Sequence, residues 1–356
     1  MATLFGKPCT RKEILSHVGE ISQVAGVRLM RLAEGKEKDV RVADVRTGSG
    51  LRFQVTLDRG MDISMAEYRG VPLAWRSPVG DVHPGFFEPK GLGWLRSFPG
   101  GLVTGCGLTQ AGAPCEDAGE QLGLHGRLSH TPATDIRKSS RWEGDDCIFS
   151  LSGAVRDFTM FGENLLLERA VEVTLGKSSF VLRDRVRNEA DRTTPLMILY
   201  HINVGWPLLA EGSRLLLHSR MTEPRDERAK TGLSEATGFS RPIPGFAEQV
   251  YYHDLVPDGE GLVTTALVNS ELELGLTVRY RLEELPRFTE WKMMGEGTYV
   301  VGMEPANCRV GGRAEERAAG TLQLLEPGEE RQFSVEIGIL DGRDDLDRFK
   351  QENSLR

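Results

Sequence analysis

The segment "AVEVTLGKSSFVLRDRV", residues 170–186, carries the pattern of a β-hairpin. Apolar residues recur with a period of two on both sides of a short turn at Gly176-Lys177-Ser178. Because successive side chains of a strand point to opposite faces, this pattern predicts two antiparallel strands with one buried face. The apolar positions are Val171, Val173 and Leu175 before the turn and Phe180, Leu182 and Val186 after it.

The same pattern recurs towards both ends of the chain. "LRFQVTLDRG", residues 51–60, alternates apolar and polar residues as a half-buried strand does. "TLQLLEPGEERQFSVEIGIL", residues 321–340, contains Pro327-Gly328 between two apolar runs, which predicts a second hairpin. Many short strands joined by turns are typical of a large sandwich or barrel, so we expect an all-β protein.

Helical patterns are few and lie near the ends. Thr10 and Glu13 have the spacing of a capping box and predict a short helix at about 10–18. A second short helix is predicted from about Asp344 to Gln351. With no repeat or linker in between, we expect one domain over residues 1–356, its sandwich covering about 20–340.

Composition narrows the class of partner. The 356 residues carry a formal net charge of −8, which disfavours nucleic acids and anionic membranes as partners. The five cysteines form no CxxC pair, so we expect reduced thiols rather than a zinc ribbon or a disulfide framework. The first residues lack the order of a signal peptide, and the apolar run "PLMILY" is too short to cross a bilayer. We therefore expect a cytoplasmic protein that binds a small molecule.

Three titratable residues stand at the ends of predicted strands. His201 follows the apolar run Leu196–Tyr200, and Glu304 follows the run Tyr299–Met303. His125 lies between two glycines in "GLHGR". A buried glutamate has a raised pKa suited to a general base, and histidine is the commonest general acid. Taken singly, each could be an ordinary structural residue, but their combination favours a site.

Further candidates for binding a ligand lie around these three. Arginine donates forked hydrogen bonds, and aromatic faces pack on the apolar faces of sugar rings. No Walker loop, HExxH or GxGxxG motif is present, so no cofactor is expected. The candidates are Arg59, Arg96, Arg127, Asn203, Trp206, Trp291 and Lys292.

Five segments together resemble the aldose 1-epimerase, or galactose mutarotase-like, superfamily and, more specifically, a largely uncharacterised branch of it. The resemblance covers roughly residues 20–340. In the mutarotases themselves, the segment "DRGMDI" has no clear counterpart and an asparagine-rich turn precedes the first histidine, where this chain has "SFPGGLVTGCGL". The segments are "LDRGMDI", "GWLRSFPGGL", "GLHGR", "YHINVGWPLL" and "EWKMMGEGTYVVGMEPAN".

The resemblance implies a β-supersandwich, a large antiparallel two-sheet fold with few short helices and a sugar cleft on one face. It implies that Glu304 takes the proton of the anomeric hydroxyl, that His201 protonates the ring oxygen and that His125 holds the sugar. Either Arg96 or Arg127 then contacts ring hydroxyls, and Asp254 in "VYYHDLV" is the candidate for the aspartate of the mutarotases.

Alternatives remain open at this stage. His125, His201 and Glu304 could together bind zinc or manganese, which would make the protein a metal-assisted sugar isomerase acting beside a carbonyl. A sugar sensor without catalysis could use the same cleft. The arginines Arg59, Arg96 and Arg127 indicate an acidic or modified sugar as one alternative to a neutral one. The identity of the sugar and a homodimeric state are also left open.

Overall fold

Antiparallel strands make up about half of the protein, whose structure is a computed structural model describing residues 1–353. In chain order the strands are β1 Ala2–Leu4, β2 Lys7–Cys9, β3 Gly26–Arg31, β4 Arg41–Arg46, β5 Leu51–Thr56, β6 Asp62–Tyr68, β7 Val71–Pro72, β8 Thr104–Leu108, β9 Cys115–Asp117, β10 Glu120–Leu122, β11 Thr134–Glu143, β12 Asp146–Phe158, β13 Asn164–Thr174, β14 Ser179–Asn188, β15 Thr194–Gly205, β16 Arg214–Leu216, β17 Ser219–Pro224, β18 Gln249–Leu255, β19 Leu262–Asn269, β20 Leu274–Arg281, β21 Arg287–Gly295, β22 Thr298–Ala306, β23 Gln323–Leu325 and β24 Glu330–Asp341.

The helices are short and include both that the sequence predicts. The Thr10 side chain accepts a hydrogen bond from the Glu13 amide, and the Glu13 carboxylate accepts one from the Thr10 amide, which confirms the capping box. No helix within residues 1–353 is long and apolar enough to span a membrane. The α-helices are α1 Arg11–His17, α2 Glu227–Thr231, α3 Arg313–Ala318 and α4 Arg343–Glu352, and the 3₁₀ turns are Ile21–Gln23, Gly35–Glu37, Pro84–Phe86, Gly93–Ser97, Leu128–His130 and Leu233–Glu235.

Three large sheets form the framework. The eight-stranded sheet has the order β11-β12-β13-β14-β24-β20-β19-β16, and the five-stranded sheet has the order β3-β4-β5-β6-β7. The seven-stranded sheet has the order β17-β18-β21-β22-β15-β23, and β8 pairs with β15 beside this path. The prediction of an all-β sandwich of antiparallel sheets is confirmed. That these sheets form a single domain over the whole chain stays a prediction.

The hairpin at residues 170–186 is present as predicted. Val171 pairs with Leu182 and Val173 with Phe180 across β13 and β14, and all four side chains are buried. The alternation in β5 is confirmed as well, with Phe53 and Val55 in the core.

The hairpin predicted around Pro327-Gly328 is wrong. The turn is there, but β23 before it pairs with β15 of the seven-stranded sheet. After it, β24 pairs with β14 and β20 of the eight-stranded sheet. The turn therefore carries the chain from one sheet to another, because a period of two identifies a strand but not its partner.

One core cluster joins the three large sheets, and β15 runs along its boundary. This strand is buried on both of its faces. Its even-numbered apolar residues belong to the main core, while Met197 and Leu199 face the opposite way into a second cluster, here called the outer cluster. The buried members of the outer cluster are Trp94, Phe98, Cys106, Ala111, Met197, Leu199, Ala306 and Cys308.

Candidate active site

The alternation of two neighbouring strands places His201 and Glu304 on the same side of the seven-stranded sheet. In β15 the next residue on the face of Met197 and Leu199 is His201. In β22 Met303 belongs to the main core and Ala306 to the outer cluster, so Glu304 also faces outward.

The strand register brings these two side chains into contact. Ile202 pairs with Met303 across β15 and β22, which sets His201 beside Glu304. His201 Nε2 lies 3.1 Å from Glu304 Oε1, and the side chains are only 7% and 2% exposed. The contact is not aligned as a hydrogen bond: among residues 1–353, neither Glu304 Oε1 nor His201 Nδ1 has a hydrogen-bond partner. Both atoms are therefore available to a ligand.

His125 reaches the same place from a loop. Its backbone has φ +56°, a left-handed conformation that histidine adopts more readily than most residues. The His125 amide donates to the Gly112 carbonyl, and the Gly112 amide donates to His125 Nδ1 at 3.3 Å. Because Nδ1 accepts, the proton of the neutral ring lies on Nε2. The ring stands 5.7 Å from that of His201, centroid to centroid, at 76°.

These residues line a pocket of about 360 Å³. Its walls are mainly aromatic and aliphatic, with few polar groups, as in many small-molecule sites. The Trp291 and Phe98 rings lie 5.3 and 5.5 Å from the His201 ring. The residues of the lining are Leu92, Trp94, Leu95, Phe98, Gly112, Ala113, Pro114, Leu124, His125, His201, Arg225, Glu248, Val250, Thr289, Trp291, Glu304 and Val310.

A polar pair occupies the more exposed side of the pocket. Arg225 Nη2 donates to Glu248 Oε1 at 3.0 Å, and Trp291 Nε1 donates to Glu248 Oε2 at 2.8 Å. Glu248 therefore fixes both the wall tryptophan and the arginine. Arg225 also donates to Asp226 at 3.1 Å, so its charge is matched by two carboxylates.

Burial keeps the three titratable groups neutral. It raises the pKa of the Glu304 carboxyl well above its ordinary value; the Glu248 carboxylate raises that pKa further and Arg225 lowers it. Burial and the nearby His125 ring lower the pKa of His201 to about 3. Burial also lowers the pKa of His125 to about 4. Burial therefore favours one carboxyl proton beside two neutral imidazoles in the pocket.

Of the eight residues predicted to bind the substrate, the structure brings only Trp291 to the pocket. The three predicted arginines lie elsewhere. Arg59 is fully buried and donates to the carbonyls of Val82 and Ser97, so it supports loops. Arg96 is exposed beside Glu88, and Arg127 is half-exposed beside Glu163. The indication of an acidic sugar, which rested on these arginines, loses its basis.

The other four also lie outside the pocket lining. Asn203 donates to the Gly101 carbonyl, and the buried Lys292 donates to the carbonyls of Glu235 and Gly238. Trp206 is 71% exposed at the far end of β15. Asp254 is an exposed partner of Arg220. Lys292 points to the opposite face of β21 from Thr289 and Trp291, and Trp206 lies just beyond the end of β15. Asn203 and Asp254 lie farther along their strands than His201 and Val250 and are bonded outside the pocket.

The segment "LDRGMDI" is structural. Asp58 accepts hydrogen bonds from the backbone and side chain of Arg41. Asp62 accepts one from the Gly105 amide at 2.8 Å and lies 3.6 Å from Arg169. The motif thus ties the five-stranded sheet to β8 and to the eight-stranded sheet.

Several residues of the lining were not predicted. Thr289 stands two residues before Trp291, so the period of a strand indicates that both share one face. Trp94 and Phe98 lie in the segment that supplied Arg96, but the 3₁₀ turn buries Trp94 and leaves Arg96 outside. Arg225 and Glu248 come from separate irregular segments, and no local pattern in the sequence marks them.

The metal alternative lacks a ligand set. Within the part of the chain that the structure describes, no group of three His, Cys, Asp or Glu side chains is placed to hold a metal ion.

Comparison with known proteins places the chain in a family. The family model called "Domain of unknown function (DUF4432)" matches residues 37–339. No curated protein matches the sequence.

Solved structures with this fold include proteins named as sugar epimerases or as mutarotase-like. A Klebsiella pneumoniae protein provisionally named an aldose 1-epimerase superposes with a TM-score of 0.88 at 27% identity, covering 92% of this chain and 86% of that one. A galactose mutarotase-like protein from Clostridium acetobutylicum gives 0.62 at 12% identity, covering 90% and 99%. Galactose 1-epimerase from Lactobacillus acidophilus gives 0.56 at 14% identity, covering 90% and 100%.

These last two likenesses show the fold, a galactose mutarotase-like sandwich, as the sequence predicts. The chain belongs to the DUF4432 family. Its likeness to the Klebsiella protein places it in the aldose 1-epimerase, or galactose mutarotase-like, superfamily.

Proposed function

We propose that the protein is an aldose 1-epimerase that interconverts the α and β anomers of an uncharged sugar. The observation that carries the proposal is the contact of 3.1 Å between His201 and Glu304 at the bottom of the pocket, with His125 beside it. An acid and a base in contact suit this reaction, because the anomeric oxygen and the ring oxygen are both bonded to C1.

Ring opening needs the proton of the pair to lie on His201. In the empty pocket burial favours the neutral form, with a Glu304 carboxyl and a His201 imidazole. Transfer of that proton gives a carboxylate base and an imidazolium acid. Sugar hydroxyls that donate to the carboxylate favour this form, since hydrogen bonds to a charged group stabilise it.

The reaction then returns the pair to its neutral form. Glu304 takes the anomeric proton, the O1 electron pair forms the carbonyl, and the C1–O5 bond breaks as His201 protonates O5. Rotation about C1–C2 exposes the other face of the aldehyde. Ring closure reverses the proton transfers and yields the other anomer. No net proton or electron is consumed.

His125 binds the sugar as a neutral donor. Its Nδ1 is held by the Gly112 amide, so Nε2–H is the group left to donate. The Trp291 face supplies a flat apolar wall for the ring. Arg225 and Glu248, fixed to each other, supply a donor and an acceptor for hydroxyls farther out.

Charge in the pocket favours a neutral sugar. Arg225, the arginine of the described lining, is already paired with Glu248 and Asp226. A carboxylate or sulfonate on the sugar would also face the Glu248 charge. We therefore expect aldoses to be preferred over the matching uronic acids.

Anomer exchange measured by saturation-transfer proton NMR tests the proposal. Glucose and galactose are compared with glucuronate and galacturonate in D₂O, with heat-denatured protein as the control. We expect faster exchange of a neutral aldose with no deuterium entering at C2. Deuterium at C2 would indicate enolisation and a carbonyl-adjacent isomerase, whereas binding without exchange would indicate a sensor.

A further inference from the structure

Thr289 faces the same side of the sheet as the predicted base. It is the direct cross-strand partner of Glu304 in the antiparallel pair β21–β22. Residues opposite one another in such a pair project from one face, with Cβ atoms about 5 Å apart. Thr289 accordingly lines the pocket together with Glu304, His201 and Trp291.

The Thr289 hydroxyl is buried without a partner in the described structure. The residue is 1% exposed, and its Oγ1 has no hydrogen-bond partner within residues 1–353. Buried hydroxyls are nearly always paired, because leaving one desolvated and unsatisfied is unfavourable. Valine has the same shape and suits a strand equally well. Because Thr289 also lines the pocket, its unpaired hydroxyl is placed to bind a ligand.

A ligand hydroxyl between Thr289 and Glu304 would satisfy both groups. Glu304 Oε1 is likewise without a hydrogen-bond partner in residues 1–353. A sugar O–H can donate to the carboxylate while its oxygen accepts from the Thr289 O–H. The oxygen so placed is the one whose proton Glu304 removes, which under the proposed function is the anomeric oxygen.

We infer that Thr289 contacts the substrate and donates a hydrogen bond to the anomeric oxygen. The inference rests on the proposed function for the identity of that oxygen. As Glu304 takes the proton, negative charge develops on O1 before the carbonyl forms. A donor already aimed at that atom stabilises the transition state more than the bound sugar. Thr289 thus makes the anomeric hydroxyl more acidic.

Two substitutions separate the hydroxyl from the shape of the side chain. Thr289→Val keeps the shape and removes the donor, while Thr289→Ser keeps the donor. We expect Thr289→Val to lower kcat about 10- to 100-fold with a smaller change in KM. Thr289→Ser should stay within about threefold of the wild type, because its hydroxyl rescues the contact.

A matched control lies elsewhere in the chain. Thr265 on β19 is also fully buried, and its Oγ1 also has no partner within residues 1–353, but it does not line the pocket. Thr265→Val should leave anomer exchange unchanged. Thermal unfolding of all three variants checks that each is folded.

The outcomes for Thr289 and for the proposed function are distinguishable. If the wild type catalyses exchange and Thr289→Val is equally fast, the role of the hydroxyl is overturned. The same holds if Thr289→Ser loses as much activity as Thr289→Val. In both cases the epimerase proposal stands. Absence of wild-type exchange would overturn the epimerase. Sugar affinity measured by calorimetry then tests whether Thr289 contacts the sugar. Weaker binding by Thr289→Val than by the wild type supports the contact, whereas equal binding, or no detectable binding by the wild type, rejects it.

Discussion

At the scale of single residues, the protonation of His125, His201 and Glu304 sets the expected pH dependence. Burial lowers the pKa of His125 to about 4 and that of His201 to about 3, so both rings stay neutral well below the ordinary histidine range. Burial raises the pKa of Glu304, so its carboxyl keeps a proton well above the ordinary glutamate range. The pair therefore retains one shared proton over a wide interval.

We predict that kcat/KM for anomer exchange is flat between about pH 5 and pH 7. Below about pH 4 the rate should fall, because the imidazoles gain protons while Glu304 keeps its own. Above the raised pKa of Glu304 the rate should fall, because the pair then loses its shared proton. NMR exchange rates across the range, corrected for uncatalysed exchange at each pH, measure the profile. A single inflection near pH 6.5, typical of an exposed histidine, would contradict this prediction.

The sequence predicts which titratable residues meet but not most of the residues around them. His125, His201 and Glu304 could be found because each interrupts an apolar run or lies between glycines. Arg96 lies outside the pocket because the 3₁₀ turn buries Trp94 and leaves the Arg96 side chain exposed. Whether an arginine beside a glycine-rich turn points inward depends on backbone angles that spacing alone does not reveal.

At the scale of the strand, the lack of a side chain at Gly302 in β22 allows Glu304, His201 and Trp291 to pack closely at one side of the pocket. A Cβ at this position would meet Glu304 Oε1 at 2.6 Å, Trp291 Cβ at 3.0 Å and His201 Cε1 at 3.2 Å. Since backbone on both sides is paired, the side chains must move instead. Glycine at position 302 is therefore required for the close packing of His201, Glu304 and Trp291.

We predict that Gly302→Ala lowers kcat/KM about tenfold or more while the protein stays folded, since small displacements of catalytic groups have large effects on rate. Gly259→Ala is the matched control, because a Cβ there meets no atom within 4 Å. NMR exchange and circular dichroism measure both variants. Equal rates for the two alanine variants would show that the floor tolerates the displacement.

Glu248 positions the wall tryptophan from a separate segment. Its two carboxylate oxygens accept from Trp291 Nε1 and Arg225 Nη2, so it holds both without entering the acid–base pair. We predict that Glu248→Ala raises KM about three- to tenfold and changes kcat less, since lost ordering of the wall weakens binding in the ground state as well. Initial rates over sugar concentration provide the two constants.

A double-mutant cycle with Trp291→Phe tests that interpretation. Phenylalanine has no indole N–H, so the Glu248→Ala change should have little further effect in the Trp291→Phe protein. Full additivity of the two changes would mean that Glu248 acts through Arg225 or through the substrate instead.

Strand identity was predictable from the sequence, whereas strand partners were predictable only where a tight turn imposes them. Four residues separate the two apolar runs at 170–186, and so short a connection makes the chain fold back on itself as a hairpin. At Pro327-Gly328 the turn is equally clear, yet the two strands join different sheets. The partner of such a strand is decided by long-range packing that no local window contains.

At the scale of the whole molecule, a buried ionic network ties the three large sheets together. Arg169 of β13 pairs with Asp184 of β14 through two hydrogen bonds and lies 3.6 Å from Asp62 of β6. The Tyr200 hydroxyl of β15 donates to Asp184 at 2.7 Å. Removing the Arg169 guanidinium would leave the carboxyl groups of Asp184 and Asp62 buried without their cationic partner.

We predict that Arg169→Met lowers the free energy of unfolding by roughly 3–5 kcal/mol, the usual range for breaking a buried ion pair. Arg183→Met is the control, because the Arg183 side chain is exposed where it pairs with Glu172, and surface pairs contribute about 0–1 kcal/mol. Urea unfolding measures both. Similar values for the two variants would show that the network contributes no more than a surface pair does.

The part of the pocket lining that comes from loops is the part of the molecule that the sequence predicts least well. Trp94, Phe98 and His125 reach the pocket from turns and loops between β7 and β11 rather than from the sheet. Their positions follow from left-handed residues and from contacts such as the Gly112 amide with His125 Nδ1. Periodicity, which predicts the sheets, gives no information about these segments.

The most direct test of the central claim is the rate of anomer exchange in wild type, Glu304→Gln and Glu290→Gln. Glu290 on β21 is the matched control, because it is also a buried glutamate in contact with a histidine, His253 of β18. It does not line the pocket. Loss of the base should slow exchange by about 100-fold or more in Glu304→Gln, while Glu290→Gln remains close to wild type. Exchange at the wild-type rate in Glu304→Gln would contradict the assignment of Glu304 as the base.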